Sequence, residues 1–169
     1  LNAEAFGDVV THLAEPGSRV LVLSGDASLG VARQLVADMQ ALRDGVELLD
    51  GNEVSVRRAI AQVRPTDVLL TIDLRRYDRW LIDAARGARS GGVWCVAVTD
   101  SLLSPLAALA DRTLTVAAAG GGPFDSHVGM LALLNVLVAG VADRLRKEAT
   151  ERLDRAESAW QASGALTDR

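Results

Sequence analysis

Short runs of apolar residues recur along the chain, and most of them are followed by a segment whose apolar positions repeat with helical spacing. Four runs have the length and continuous apolar character of strands that are buried on both faces. They comprise residues 19–24, 67–72, 93–99 and 113–116. A fifth run, at residues 46–49, is weaker, and turn-forming pairs such as Pro16-Gly17 and Gly91-Gly92 precede several of the strands.

Between the strands, apolar residues return every three or four positions, as they do on the buried face of a helix. This pattern predicts helices at residues 30–42, 54–63 and 78–90, and a shorter one at residues 104–110. The alternation of strands and helices predicts an α/β fold, in which helices cover both faces of a parallel sheet. Ligands of such folds bind beyond the carboxyl ends of the strands, so the residues that follow each strand are the candidates for function.

Residues 128–142 are apolar almost all round and lack the polar face of a surface helix. We expect a helix that is covered on every side, in the core or at the centre of a homodimer, and both can hold. A membrane span needs about 20 apolar residues, so no membrane partner is predicted. Farther along, Leu153, Ala156 and Trp160 lie at helical spacing. This predicts a C-terminal helix within residues 148–169 that packs on a neighbouring element or on a partner subunit.

The composition narrows the class of protein. The chain has 169 residues, of which 49% are hydrophobic, so a single domain with its own core is expected rather than a disordered chain. Its formal net charge of −4 argues against direct contact with nucleic acid, since DNA-binding domains are usually basic. The single cysteine, Cys95, cannot form an internal disulfide and is expected to be buried in its strand. Without a zinc-type cluster or a signal peptide, the sequence predicts a cytoplasmic protein with no metal and no cofactor.

The loop after the first strand contains Gly25 and Ser28, directly before the helix at residues 30–42. Glycine permits a tight turn, and Ser28 lies near a helix N-terminus, where free N–H groups favour an anion. The alternative is that Ser28 only caps the helix. Ala27 stands where a dinucleotide fingerprint needs its second glycine, so dinucleotide binding is not predicted.

The loop after the strand at residues 67–72 is the most unusual segment, since residues 73–80 contain three arginines and two aromatic residues. Arginine side chains bind phosphate or carboxylate through two hydrogen bonds at once. The alternative is a surface cluster of ion pairs with the neighbouring aspartates. The candidate ligand-binding residues of this loop are Asp73, Arg75, Arg76 and Tyr77.

Hydroxyl side chains follow the strand at residues 93–99, and Thr99, Ser101 and Ser104 are candidate ligand-binding residues. Ser104 precedes a proline, so its role as a helix cap would also explain it. Thr99 and Ser101 have no such alternative and are the better candidates.

The loop before the long apolar helix supplies two more candidates, Ser126 and His127. An anion beside the first turn of that helix would be favoured by the helix dipole. Ser126 can instead cap the helix. The loops after the strands offer Asp26, Asp73 and Asp100, but His127 is the only attractive general base, and we assign no catalytic residue.

Three groups of residues together resemble those of a known family. The first loop carries Gly-x-x-Ser-x-x-x-Ala, and Val-Ala-Val-Thr-Asp-Ser at residues 96–101 precedes Ser-Pro-Leu-Ala at residues 104–107. Ala110-Asp111 follows soon after, before the last strand. On these motifs, residues 8–145 are similar to the sugar isomerase (SIS) domain of RpiR-type transcriptional regulators. The combination of Ser-Pro-Leu-Ala with Ala-Asp is the most specific of these signals.

The resemblance implies a three-layer αβα sandwich around a five-stranded, parallel, flavodoxin-like sheet. It also implies a homodimer or higher homo-oligomer, and a small anionic ligand derived from a carbohydrate, such as a phosphorylated sugar or a sugar acid. Family members carry an N-terminal helix-turn-helix domain that binds DNA, which we expect to be absent from this chain. Residues 1–169 are then one SIS domain, with a core at residues 8–145 and a helical tail at residues 146–169.

One loop departs from the family pattern. Typical SIS domains have Ser-x-Ser-Gly-x-Thr after the third strand, which cradles a phosphate, and residues 73–80 replace it here. A subset of RpiR-type regulators is similar in having an Arg-Tyr form of this loop. That similarity implies that Arg75, Arg76 and Tyr77 face the ligand or the dimer interface.

Three functions are compatible with these features. The first is an effector-sensing and dimerisation domain of a transcriptional regulator, with an anion held by Ser28, Arg75, Thr99, Ser101 and His127. The second is an aldose–ketose sugar-phosphate isomerase, in which His127 would act as the base. The third is a dimerisation domain without a ligand. We expect the first, and therefore no enzyme activity.

Overall fold

The computed structural model describes residues 2–166, which form an α/β fold with five strands. The strands are β1 Val20–Ser24, β2 Val46–Leu48, β3 Val68–Ile72, β4 Trp94–Thr99 and β5 Arg112–Thr115. All pairs are parallel, and the order across the sheet is β2-β1-β3-β4-β5. Each strand lies within one residue of its predicted run, because strands buried on both faces are marked by continuous apolar sequence.

Six α-helices connect and flank the strands within the described residues. They are α1 Ala3–Leu13, α2 Leu29–Leu42, α3 Glu53–Ile60, α4 Arg79–Ser90, α5 Val128–Arg144 and α6 Arg146–Ser163. Side-chain caps begin two of them, since Asn2 accepts a hydrogen bond from the Glu4 N–H at 2.9 Å and Asn52 accepts one from the Ser55 N–H at 3.0 Å.

The prediction of a short α-helix at residues 104–110 is wrong. That segment is a turn followed by a 3₁₀ helix, Ala107–Leu109, whose N–H groups bond to carbonyls three residues back. Ser104 begins the turn, and its hydroxyl oxygen accepts a hydrogen bond from the Leu106 N–H at 3.2 Å. A segment of this length gains too few hydrogen bonds to offset helix nucleation, which favours the tighter 3₁₀ form.

Successive strand residues point to opposite faces of the sheet and build two separate cores. On β1, Val20 and Val22 join the core beneath α1, α2 and α5, whereas Leu21 and Leu23 join the core beneath α3 and α4. The fold is therefore the expected three-layer αβα sandwich, and its strand order is that of the flavodoxin-like folds.

The cysteine lies where the sequence predicted it. Cys95 is buried in β4, and its thiol is free. Burial raises the pKa of the Cys95 thiol to about 11, so the side chain stays protonated near neutral pH. It acts as a small apolar residue of the core.

Helix α5 is buried on one face alone. Met130, Leu134 and Leu137 are enclosed in the core, whereas Val128 and Val136 on the other side are 77% and 53% exposed. The expectation that this helix is covered on every side is therefore wrong for a single chain, because apolar sequence does not specify what covers it. Within residues 2–166, no single helix is both long and apolar enough to cross a membrane. Helices α5 and α6, bent by 105° where they meet, reach that length and apolarity only in combination.

The predicted C-terminal helix is α6, which packs against α2. Ala149 is its buried residue, while Leu153 and Trp160 are 43% and 42% exposed. The packing on the same chain thus involves mainly the first half of the helix. Residues 167–169 of the predicted tail lie outside the described part of the chain.

Candidate functional site

The chain reverses direction across the sheet between β1 and β3, where a crevice forms beyond the strand ends. The loop after β1 and the loop after β3 flank this crevice, because the ends of the two strands pair in register. A cleft of about 620 Å³ opens there. Its lining residues are Ala27, Leu74, Arg75, Arg76, Pro123, Phe124, Asp125 and His127.

Two helix N-termini meet at this cleft. Ser28 stands at the N-cap position of α2 and His127 at that of α5, and Ser28 Oγ lies 3.3 Å from His127 Nε2. Ser28 is fully buried, and neither side chain caps its own helix. The N-termini of both helices therefore lie close together, and their dipoles favour a negative charge near this point.

The loop after β3 contributes two cations to the cleft. Arg75 and Arg76 are both exposed and both line it. Arg75 Nη2 lies 4.0 Å from Asp125 Oδ1, an ion pair without a direct hydrogen bond. Among the described residues, Arg76 has no carboxylate partner within that distance. The cleft thus combines guanidinium groups with two helix N-termini, an arrangement that suits a small anion.

A carboxylate from the next strand holds this loop in place. Asp100 Oδ1 accepts hydrogen bonds from the Tyr77 hydroxyl at 2.7 Å and from the Arg75 N–H at 3.3 Å. The buried Thr99 hydroxyl lies 3.4 Å from the same oxygen. Burial, and then the bond to Asp100, raise the pKa of the Tyr77 phenol above its usual value, so it remains a donor.

Asp73 lies beneath the cleft and is nearly fully buried. Its two oxygens accept hydrogen bonds from the Leu74 N–H at 3.0 Å and the Asp78 N–H at 2.8 Å, which shapes the turn. A side chain on Gly25 would place its Cβ 2.3 Å from Asp73 Oδ1, so only glycine fits against this carboxylate. Burial raises the pKa of Asp73 to about 6, and the charges of Asp78 and Asp100 act in the same direction.

The remaining predicted residues form turns near the cleft. Ser101 accepts a hydrogen bond from the Leu103 N–H at 3.1 Å, and Ser104 accepts the bond from Leu106 described above. Ser126 Oγ lies 3.4 Å from the Val128 N–H, at the start of α5. The structure therefore brings Arg75, Arg76 and His127 together on the cleft wall, with Ser28 directly behind His127. Six other candidates are not part of the wall. Thr99 is the last residue of β4, whereas Asp73, Tyr77, Ser101, Ser104 and Ser126 lie in the loops after β3, after β4 and before α5.

Sequence reasoning missed two carboxylates of this site, Asp100 and Asp125. Neither was selected among the candidate ligand-binding residues. Both partners lie on other loops, so the local sequence around each aspartate contains no signal for the contact. The nearest signal is position, since each follows a strand or precedes a helix beside the cleft.

A larger cleft, of about 760 Å³, lies at the opposite edge of the sheet, at the amino-terminal ends of the strands. One wall is formed by His12 and Trp94, whose rings stack with centroids 3.8 Å apart. The cations there are already paired, because Arg89 pairs with Asp111 at 3.0 Å and Arg19 with the buried Asp67, and Glu15 adds a further negative charge to the lining. The carboxyl edge, where Arg76 is unpaired among the described residues and Arg75 is paired only at 4.0 Å, is therefore the better candidate site for an anion.

No cluster of three or more histidine, cysteine or acidic side chains in residues 2–166 has the geometry of a metal site. His127 and Asp125 are the groups on the cleft wall with the chemistry of a general base, and Asp125 is paired with Arg75. The other polar groups of the cleft are suited to binding and orientation.

Comparison with known proteins gives a family match over most of the chain. The family model of the SIS domain matches residues 12–140. Among solved structures, the sugar isomerase domain of an RpiR transcription factor from Sphaerobacter thermophilus has 30% sequence identity and a TM-score of 0.86. That match covers 93% of this chain and 87% of the other. No match was found among curated protein sequences.

Two more distant structures share the fold. The Vibrio vulnificus NanR protein, solved in complex with ManNAc-6P, has 18% identity and a TM-score of 0.82, with 95% of this chain and 61% of NanR covered. A Methanococcus jannaschii protein, for which a 3-hexulose-6-phosphate isomerase function was inferred, has 14% identity and a TM-score of 0.70. The match covers 89% of this chain and 86% of the Methanococcus jannaschii chain. The same architecture thus occurs in a transcription factor, in a protein complexed with ManNAc-6P and in an inferred enzyme.

Proposed function

The chain belongs to the SIS family, as the sugar isomerase domain of an RpiR-type transcription factor, and from this we propose that it is an effector-sensing and dimerisation domain. Its ligand in this proposal is a small anion derived from a carbohydrate, either a phosphorylated sugar or a sugar acid. The observation that supports it most is the presence of Arg75, Arg76 and the Ser28–His127 pair around one cleft.

The cleft provides three kinds of contact for such a ligand. The guanidinium groups of Arg75 and Arg76 would bind the anionic group, since each can donate two parallel hydrogen bonds to phosphate or carboxylate. The N-termini of α2 and α5 would add favourable dipoles. The cleft is also large enough for a monosaccharide ring, because ligand pockets start at about 300 Å³ and this one measures about 620 Å³.

The proposed dimer uses the uncovered face of α5. Val128, Leu131 and Val136 are exposed there, and a groove of about 340 Å³ between this face and β5 is lined mostly by apolar side chains. Burying such a face against a second copy would remove apolar surface from water, which is the main driving force of association. Ligand binding would then favour one dimer geometry over another. DNA would be contacted by a helix-turn-helix domain, as in the family, and not by residues 1–169, whose net charge is −4.

A thermal-shift experiment with a panel of sugar phosphates and sugar acids tests the ligand. A compound present at a concentration of about 100 times its Kd should stabilise the fold by about 3 kcal/mol. This corresponds to a rise in Tm of roughly 6–12 °C for a domain of this size. Arg75→Ala and Arg76→Ala should each abolish most of that shift. Arg57→Ala, which removes an exposed arginine of α3 paired with Glu53, is the matched control and should retain it. If no compound raises Tm, the domain has no anionic effector and serves dimerisation alone.

The competing function is a sugar-phosphate isomerase, and one observation favours it. His127 lies on the cleft wall beside Ser28, where a base could reach the proton next to a substrate carbonyl. Turnover of an aldose phosphate that is lost in His127→Ala, with ligand binding retained, would replace the sensor function by this one. We expect no turnover.

A further inference from the structure

Arg75 already has an anionic partner within the protein. We propose that Asp125 is an internal competitor of the ligand: it pairs with Arg75 and must be released before an external anion can use that guanidinium. This inference rests on the proposed function, since it assumes that the cleft binds an anion. We refer to the Arg75–Asp125 ion pair as the latch.

The geometry of the latch fits a contact that exchanges readily. The two charged atoms are 4.0 Å apart, and the Arg75 side chain is 74% exposed. An ion pair of this kind contributes little stability, so its loss does not threaten the fold. Arg75 itself is held from the other side, where its backbone N–H donates to Asp100. The guanidinium can therefore change partner while its backbone stays fixed.

Asp125 also lies in a loop whose two ends are joined by a hydrogen bond. The Ser126 N–H donates to the Ala118 carbonyl at 2.7 Å, which closes the loop between these two residues. Asp125 lies inside that loop, and the closing hydrogen bond stands between it and the first turn of α5. Release of the latch would therefore alter the conformation of residues 119–125 first. These residues lie between the ligand cleft and the helix proposed for the dimer interface.

Competition makes a quantitative demand on affinity. Asp125 is tethered beside Arg75, so its effective concentration is high and every external anion must displace it at the same cost. Removing its charge should therefore raise the affinity for all anions by the same factor, whatever their charge. A carboxylate that merely repelled the ligand would instead weaken a dianion more than a monoanion. A carboxylate that contacted the ligand would strengthen binding.

NMR titration of the ¹⁵N-labelled protein at pH 8 distinguishes these cases, with inorganic phosphate as the dianion and acetate as the monoanion. In Asp125→Asn we expect both affinities to rise by the same factor, about two- to sixfold, which is the range set by an exposed ion pair. Asp143→Asn is the matched control, because it breaks a surface ion pair with Arg146 at the far end of α5. It should change neither affinity.

The same titration reports on the loop. Phosphate should move the amide resonances of Gly120, Gly121 and Gly122 in the wild type toward their positions in free Asp125→Asn, because both changes release the latch. An unequal gain for the two anions, no gain, or a loss of affinity would overturn the latch while leaving the anion site intact. If neither anion binds the wild type or the variant, the proposed ligand site itself is wrong, and the latch fails with it.

Discussion

The Tyr77 hydroxyl donates a hydrogen bond of 2.7 Å to Asp100 Oδ1 and so joins the loop after β3 to the end of β4. The same oxygen accepts the Arg75 N–H, so one carboxylate holds both ends of a three-residue segment that contains the cationic side chains of the cleft. Because β3 and β4 are neighbours in the sheet, this bond fixes the loop to the rigid part of the fold.

We expect Tyr77→Phe to weaken anion binding as well as the fold. The change removes one hydrogen bond to a partly exposed carboxylate, which costs about 1–2 kcal/mol of unfolding free energy. Without that bond the arginines lose their fixed position. Phosphate affinity should then fall about fivefold, because the loop and its arginines must be ordered when the ligand binds. Urea unfolding and NMR titration measure the two effects. In a background that already contains Arg75→Ala and Arg76→Ala, adding Tyr77→Phe should not change phosphate affinity further. A further loss of affinity in that background would argue that Tyr77 does more than position the arginines.

Asp73→Asn should change how stability depends on pH. Folding raises the pKa of Asp73 to about 6, so the ionised form destabilises the folded protein. This cost is absent at low pH and grows as the pH rises from about 4 to about 6. The unfolding free energy of the wild type, minus that of Asp73→Asn, should therefore be about 2 kcal/mol larger at pH 4.5 than at pH 7.5. Urea unfolding at both values measures it, and a difference that is independent of pH would contradict the environment described for Asp73.

Gly25→Ala should destabilise the fold and disturb the cleft together. The added Cβ would lie 2.3 Å from Asp73 Oδ1, and that carboxylate is itself held by two backbone N–H groups. We expect a loss of about 2–3 kcal/mol, in the range of overpacked cores, and a weaker response to phosphate. Gly7→Ala in α1 is the control, since its Cβ would meet no atom within 4 Å. It should be neutral or stabilise the helix by up to about 1 kcal/mol, and equal effects of the two changes would refute the steric argument.

Val136→Asp should convert a dimer into a monomer. Val136 is 53% exposed on the uncovered face of α5, and a charge there would be desolvated in the proposed interface. Sedimentation equilibrium should give twice the 17.8 kDa chain mass for the wild type and the chain mass for the variant. Val54→Asp, at a valine of α3 that is 67% exposed, should remain dimeric. A monomeric wild type, or a Val136→Asp variant that remains dimeric, would contradict the proposal that α5 forms the dimer interface.

The sequence by itself determined the strands of the fold and the edge at which the candidate site lies. Continuous apolar runs are required wherever a strand is buried on both faces, so β1 to β5 could be located to within a residue. A parallel sheet then places every following loop at one edge, which is why Arg75, Arg76 and His127 could be selected together. The 3₁₀ turn at Ala107–Leu109 escaped this reasoning, because apolar spacing does not distinguish it from a short α-helix.

The tertiary structure alone decided which of these side chains face the cleft and which support it. Ser28 and His127 are 99 residues apart in the chain, and Tyr77 is 23 residues from Asp100. Such contacts depend on the register of neighbouring strands and on the exact turn of each loop, where one residue more or less redirects a side chain. Asp73 shows this most clearly, since its position after β3 is that of a ligand-binding residue, yet the turn buries it against Gly25. Local sequence specifies periodicity and turn chemistry, whereas the distance between two loops is set by the packing of the whole sheet.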